Sequence, residues 1–276
     1  AGDTSVSGMN DKDVELKVTN DGVQLSAPNG GGITINDSDY SNAGSGELEL
    51  TVDKNGDVVL DSGKVNVPEG SEIKLPKDIN GENNTIIAEN GDVAVGSDGN
   101  IEVPNNSTVI VENSDGTTNE YTAAGDGTKI DAGSTDELPI LDAGAVKLPK
   151  GSEIKADDKV YTSTGNNAPT VNADGTATLP GDSGLTIENT LPNGQKETHT
   201  VGAPSGNDGV VSVEPQDDGS INLTVNEVGD RVSADGIEYK TTVAPTKISV
   251  SENGAALDVG GVELDGGKKP SESINV

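Results

Sequence analysis

The sequence predicts an all-β protein of repeated antiparallel hairpins that pack as sandwich-like modules, with a β-solenoid as the alternative. Three observations carry this. Tight-turn dipeptides recur along the whole chain, with six Asn-Gly and nine Asp-Gly pairs in 276 residues. The segments between them alternate apolar and polar residues with the period of two that belongs to a strand. Sequence markers then return at intervals of 40, 38 and 40 residues. No segment carries the apolar stripe of an amphipathic helix over three turns.

The turn pairs define the hairpins. Asn and Asp tolerate positive φ and Gly adopts it freely, so Asx-Gly suits the type I′ turn, whose twist matches two antiparallel arms. In the N-terminal β region, residues 1–62, the first strand falls at 13–18. A hairpin follows, with arms 47–52 and 57–60 around Asn55-Gly56. The clearest hairpin lies in the C-terminal region, residues 191–276, where arms 210–214 and 221–225 flank Asp218-Gly219. A third has arms 247–250 and 255–259 around Asn253-Gly254.

The central region, residues 63–190, shows the repeat most openly. One marker is an aromatic in a polar strand: Tyr121, Tyr161 and Tyr239, with His199 in the same relative place. The other is a strand ending in proline, as in Val67-Pro68, Val103-Pro104, Leu148-Pro149 and Leu179-Pro180. Two of these continue alike, as Pro68-Glu69-Gly70-Ser71-Glu72-Ile73 and Pro149-Lys150-Gly151-Ser152-Glu153-Ile154. Each unit of about 40 residues therefore holds about four short strands. A propeller blade would have the same count, but blades pack through aromatic motifs and this chain is 1% aromatic.

These Val/Leu-Pro-x-Gly-Ser and Asp-Gly-x-x-Tyr-Thr units resemble the β-repeat stretches of secreted and cell-surface proteins of Gram-positive bacteria, over roughly residues 60–250. The resemblance implies an extracellular spacer, adhesin or filament protein. It assigns no functional residues.

Composition narrows the setting. Seventeen basic residues against 48 acidic ones give a formal charge of −31, a surface that repels phosphate backbones and anionic lipid. Nucleic acid is therefore not an expected partner. No apolar run approaches the ~20 residues of a membrane-spanning helix. The absence of Cys excludes a disulfide scaffold and leaves the redox compartment open. A chain beginning Ala1-Gly2-Asp3 fits a mature protein after leader removal, so export is expected. Val, Ile and Leu number 29, 16 and 15, so the core is thin for the chain length. Burial against other copies would supplement it.

No catalytic constellation emerges. His199 is the sole histidine, and without Cys or a Gly-x-Ser-x-Gly elbow it completes no usual nucleophilic triad. No enzyme activity is expected, and the marker tyrosines read as packing residues. Calcium is the one cofactor the acidic loops invite. Asp53-Lys54-Asn55-Gly56-Asp57 begins like an EF-hand loop but places Val58 and Lys64 at its sixth and twelfth positions. Asp11-Lys12-Asp13 and Asp37-Ser38-Asp39 are equally incomplete. The plainer expectation is a solvated acidic face and no cofactor.

The expected function is a structural subunit of an extracellular filament or surface layer, a homopolymer joined by strand addition. The rival is an adhesin binding ligands through its repeats. Candidate donor strands lie at the two ends. At the C-terminus a Gly266-Gly267-Lys268-Lys269-Pro270 hinge precedes Ser273, Ile274, Asn275 and Val276, which alternate in polarity. At the N-terminus, Val6 and Met9 precede the first strand. An extended segment added to an open sheet edge satisfies its own backbone groups and those of the edge.

Overall fold

The computed structural model describes residues 5–9, 12–76, 83–132 and 138–264. Among them are 28 strands and no helix, as the hairpin pattern predicts. The chain divides into two compact units, Ala1–Gly144 and Ala145–Val276. The boundaries read from sequence, 62/63 and 190/191, fall at strand ends within these units.

The first unit opens with β1 (Val6–Gly8), β2 (Glu15–Val18), β3 (Gly22–Ala27), β4 (Gly32–Ile35) and β5 (Ser38–Asn42). It continues with β6 (Leu48–Asp53), β7 (Val58–Ser62), β8 (Lys64–Val67), β9 (Glu72–Lys74) and β10 (Thr85–Asn90). It ends with β11 (Val93–Gly96), β12 (Asn100–Val103), β13 (Thr108–Glu112), β14 (Thr118–Ala123), β15 (Thr128–Asp131) and β16 (Ile140–Ala143).

Strand pairing runs along two separate ladders. One is β2-β3-β6-β7-β9-β10-β13-β14, antiparallel except for β7 beside β9, where Val59 meets Lys74 in parallel. The other is β1-β4-β5-β8-β11-β12-β15-β16, antiparallel throughout. Each ladder buries alternate residues, such as Leu48, Leu50 and Val52 of β6 in the first and Val65 and Val67 of β8 in the second. Hydrogen bonds between the ladders show that these faces meet. The Tyr40 hydroxyl on β5 donates to the carbonyl of Glu72 on β9 at 2.9 Å. The Asn84 amide beside β10 donates to the carbonyl of Ala132 beyond β15 at 3.1 Å. The unit is a sandwich, and its core is the strip between the ladders.

The second unit comprises β17 (Ala145–Lys147), β18 (Glu153–Ala156), β19 (Lys159–Ser163), β20 (Thr170–Asn172), β21 (Ala177–Leu179) and β22 (Ser183–Thr190). Then come β23 (Lys196–Ala203), β24 (Val211–Pro215), β25 (Ile221–Val225), β26 (Arg231–Ala234), β27 (Ile237–Ser251) and β28 (Gly254–Leu264). Its ladders are β17-β20-β21-β24-β25 and β18-β19-β22-β23-β26. Both end on β27, whose first part pairs with β26 and whose last part pairs with β25. β28 then covers β27 along its length, so one long hairpin closes this end of the unit.

Turn chemistry decides which ladder the chain enters next. Asx-Gly turns mostly join neighbours within a ladder: Asn55-Gly56 links β6 to β7, Asp115-Gly116 links β13 to β14, and Asp218-Gly219 links β24 to β25. Proline turns instead carry the chain across. Pro28, Pro68, Pro104, Pro149, Pro180 and Pro204 each follow a strand of one ladder and precede a strand of the other. Two residues beyond each proline lies positive φ, at Gly30, Gly70, Asn106, Gly151, Asp182 and Gly206. In the Pro68, Pro104 and Pro149 turns, the following serine N–H returns to the proline carbonyl at 2.9–3.0 Å. Proline ends the ladder because it cannot donate to it. The left-handed residue two positions on reverses the chain, which is why Gly, Asn or Asp stands there.

The marker aromatics are core residues. Tyr121, Tyr161 and Tyr239 are buried, and so is His199 in β23. Tyr161 and His199 both stand opposite Ile187, which places all three side chains in one transverse row on one face.

Candidate assembly site

The site begins at β2, among the described residues the outermost strand of its ladder. Its four residues are all exposed, although two are large and apolar. Register places them. Leu16 pairs with Leu25, which pairs with Leu50, which pairs with Leu60. Val18 likewise continues into Val23, Val52 and Val58. Directly paired residues point to the same side of a sheet. Both rows therefore belong to the core-facing side, and exposure climbs steeply at the end: Leu25, Leu50 and Leu60 are 0% exposed, whereas Leu16 is 58%. Val18 is 75% exposed.

The cause is geometric. β1, the end strand of the facing ladder, has only three residues and contributes only Val6 to the groove, and Leu16 and Val18 remain in solvent. Val6, Leu16, Val18, Val23 and Val52 line a groove of about 530 Å³, with Thr19, Asp53 and Lys54 at its margin. The second unit contrasts, since the β27–β28 hairpin runs across both of its ladders. One described sheet end is closed by a hairpin, and another presents an apolar groove beside a free strand edge.

Of the residues singled out at the termini, Val6 lines this groove, and both Val6 and Met9 are held by their own chain. Val6 pairs with Ile35 and Gly8 with Ile33, which seats β1 on β4. The Met9 N–H donates to the Gly32 carbonyl at 2.9 Å. Asn36 grips Ser5 from both sides, its side-chain oxygen accepting the Ser5 N–H and its own N–H reaching the Ser5 carbonyl, each at 3.1 Å. Ser273, Ile274, Asn275 and Val276 lie outside the described residues. Leu16 and Val18, which sequence reasoning placed in the first strand, were not recognised there as site residues. Their alternation with Glu15 and Lys17 is that of any half-buried strand.

Two other loci have defined chemistry. His199 Nδ1 lies 2.8 Å from Asp235 Oδ2, while Asp235 Oδ1 accepts the Thr200 N–H at 2.9 Å. The other ring nitrogen of His199, Nε2, is buried and has no partner. The cavity beside the ring is about 340 Å³ and is lined also by Tyr239, Val250 and Ala255. In the neighbouring repeat, the Tyr161 hydroxyl crosses to the other ladder and donates to the Gly175 carbonyl. Burial, with Asp157 and Asp174 nearby, pushes the Tyr161 hydroxyl well above the usual tyrosine range, so it remains a donor.

The carboxylates of the acidic loops are used by the turns themselves. Asp53 Oδ1 accepts the N–H groups of Asn55 and Asp57 at 2.8 and 3.0 Å. Asp39 accepts the Thr34 hydroxyl at 2.7 Å. Among the described residues, no cluster of three or more His, Cys, Asp or Glu side chains is arranged to hold a metal ion. Among them also, no helix is long and apolar enough to cross a membrane. Comparison with protein-family models, curated proteins and solved structures finds no match for the chain.

Proposed function

We propose that the protein is a non-enzymatic structural subunit that polymerises outside the cell by strand addition at its sheet edges. The observation that carries this reading is the uncovered end of the first unit, where two core rows stop at Leu16 and Val18 in solvent. Natural proteins usually blunt or cover an edge strand, because a free edge beside apolar side chains invites another chain. The thin core supports the same reading, since contact between copies adds burial. The charge of −31 and the repeat pattern fit an extracellular setting.

The test is negative-stain microscopy and light scattering of the purified chain across concentration, salt, calcium and pH. Open-ended polymers are expected. A protein that stays monodisperse under all of these conditions refutes the proposal, and selective binding on a glycan array would favour an adhesin.

A further inference from the structure

We infer that the free edge of β2, with the groove beside it, receives residues 273–276 of a second copy as an added strand. This rests on the self-assembly reading above and names both partners of the contact.

The acceptor follows from register. An antiparallel strand that places Ile274 opposite Val18 and Val276 opposite Leu16 extends both apolar rows by one residue. Asn275 and Ser273 then fall opposite Lys17 and Thr19. The apolar side chains of donor and acceptor alternate with the same period, so this antiparallel register satisfies both rows. A slip of one residue would turn Ile274 and Val276 away from the groove.

The donor follows from sequence and from the placement of β1. β1 is seated on β4 of its own chain, so the N-terminal segment already has an edge. The C-terminal segment runs 12 residues past Leu264, the last residue of β28. Its first eight residues reach at most ~26–29 Å when extended, enough to leave the parent unit. The segment also carries Lys268 and Lys269, two of only 17 basic residues in the chain. In the register given, they run toward the corner where Asp21 precedes Gly22 and Gly22 pairs with Asp53. Cationic hinge and acidic corner are complementary. Because donor and acceptor are different surfaces, each addition leaves a fresh acceptor and a fresh donor. The contact is heterologous and propagates.

The absence of cysteine permits a direct test. A Val18→Cys chain is mixed with an Ile274→Cys chain under mild oxidation, so that a mixed disulfide reports contact between copies. The control replaces the first chain with Ile237→Cys, an exposed position on β27. Selective cross-linking of the Val18→Cys chain is expected. In parallel, a fluorescent peptide of residues 268–276 is titrated onto a chain lacking residues 270–276. Binding is expected, weakened at least tenfold by Leu16→Glu with Val18→Glu. Both changes are at exposed positions, and circular dichroism verifies the fold. Equal cross-linking with the control, or peptide binding indifferent to the double substitution, overturns the inference. If the intact chain still polymerises in that case, the assembly reading survives and only this contact is wrong. If the intact chain never associates, both fall.

Discussion

Replacing His199 by tyrosine should stabilise the second unit, and the expected gain can be worked from its neighbours. Tyr161 occupies the same transverse row across Ile187, and its hydroxyl reaches the Gly175 carbonyl in the facing β20–β21 turn. The corresponding turn for β23 is β24–β25, centred on Gly219. That turn already lies against β23, since a Cβ at Gly219 would collide with the Glu197 carboxylate. A tyrosine at 199 would donate to the Gly219 carbonyl, contributing ~1 kcal/mol net, and would remove the unpartnered Nε2, contributing ~1–3 kcal/mol. The lost bond to Asp235, a carboxylate 40% exposed and open to water, costs ~1 kcal/mol. The cavity beside the ring limits overpacking. The balance is a gain of ~1–3 kcal/mol, or ~3–12 °C in the melting temperature of a unit this size. Urea and thermal unfolding of His199→Tyr and His199→Phe would measure it, with the Tyr-minus-Phe difference isolating the hydroxyl at ~1 kcal/mol. Tyr161→Phe should lose a similar amount. A His199→Tyr protein less stable than wild type, or one equal to His199→Phe, would refute the equivalence of the two slots.

The remaining predictions use the same unfolding assays. Gly70→Ala should cost ~1–2 kcal/mol from the left-handed backbone alone, since a Cβ there meets nothing within 4 Å. Gly70→Asn should be nearly neutral, because Asn106 holds the same place in another turn. Leu25→Ala should cost ~2–5 kcal/mol and Val18→Ala under ~0.5 kcal/mol, although they sit in adjacent strands of one sheet. Stability should peak in mild acid. The Thr117, Thr176 and Ser220 hydroxyls hold Asp115, Asp174 and Asp218 below the usual carboxylate range, so their contribution is lost as pH falls through about 4 and below. Burial raises Asp61 and Glu120, whose contribution is present at low pH and is lost as pH rises past the usual carboxylate range. A pH–stability profile flat from 7 to 2 would contradict this.

How much was legible follows from what each signal encodes. The hairpins centred on Asn55, Asp218 and Asn253 were readable because turn and arms are local, and all three form. Their turns are not the expected type I′, since only the Gly of each pair takes positive φ and Asn55, Asp218 and Asn253 do not. The tyrosine markers were readable as packing residues because their spacing follows the repeat. The proline marker was visible, but its meaning was not: only the strand pairing shows that Pro68 and Pro149 carry the chain from one ladder to the other. The site was the least legible part. Glu15-Leu16-Lys17-Val18 has the alternation of a half-buried strand and does form a strand, but all four of its residues are exposed. That its face stays exposed among the described residues depends on how little the three-residue β1 at the end of the facing ladder covers, a property of the assembled sandwich. The orphaned Nε2 of His199 was hidden likewise, since the sequence shows the substitution in the repeat but not the length its side chain must span.

Sedimentation velocity of the intact chain at rising salt tests the central claim most directly. Copies carrying −31 repel one another, and salt shortens the reach of that repulsion to ~8–10 Å at 0.1–0.15 M. The account predicts a monomer at low salt and low concentration, and a growing series of larger species as either is raised. It further predicts that Leu16→Glu with Val18→Glu keeps the chain folded and monomeric throughout. A single sharp monomer boundary for the intact chain at every salt and concentration would contradict it, and so would polymers that form equally well in the doubly substituted chain.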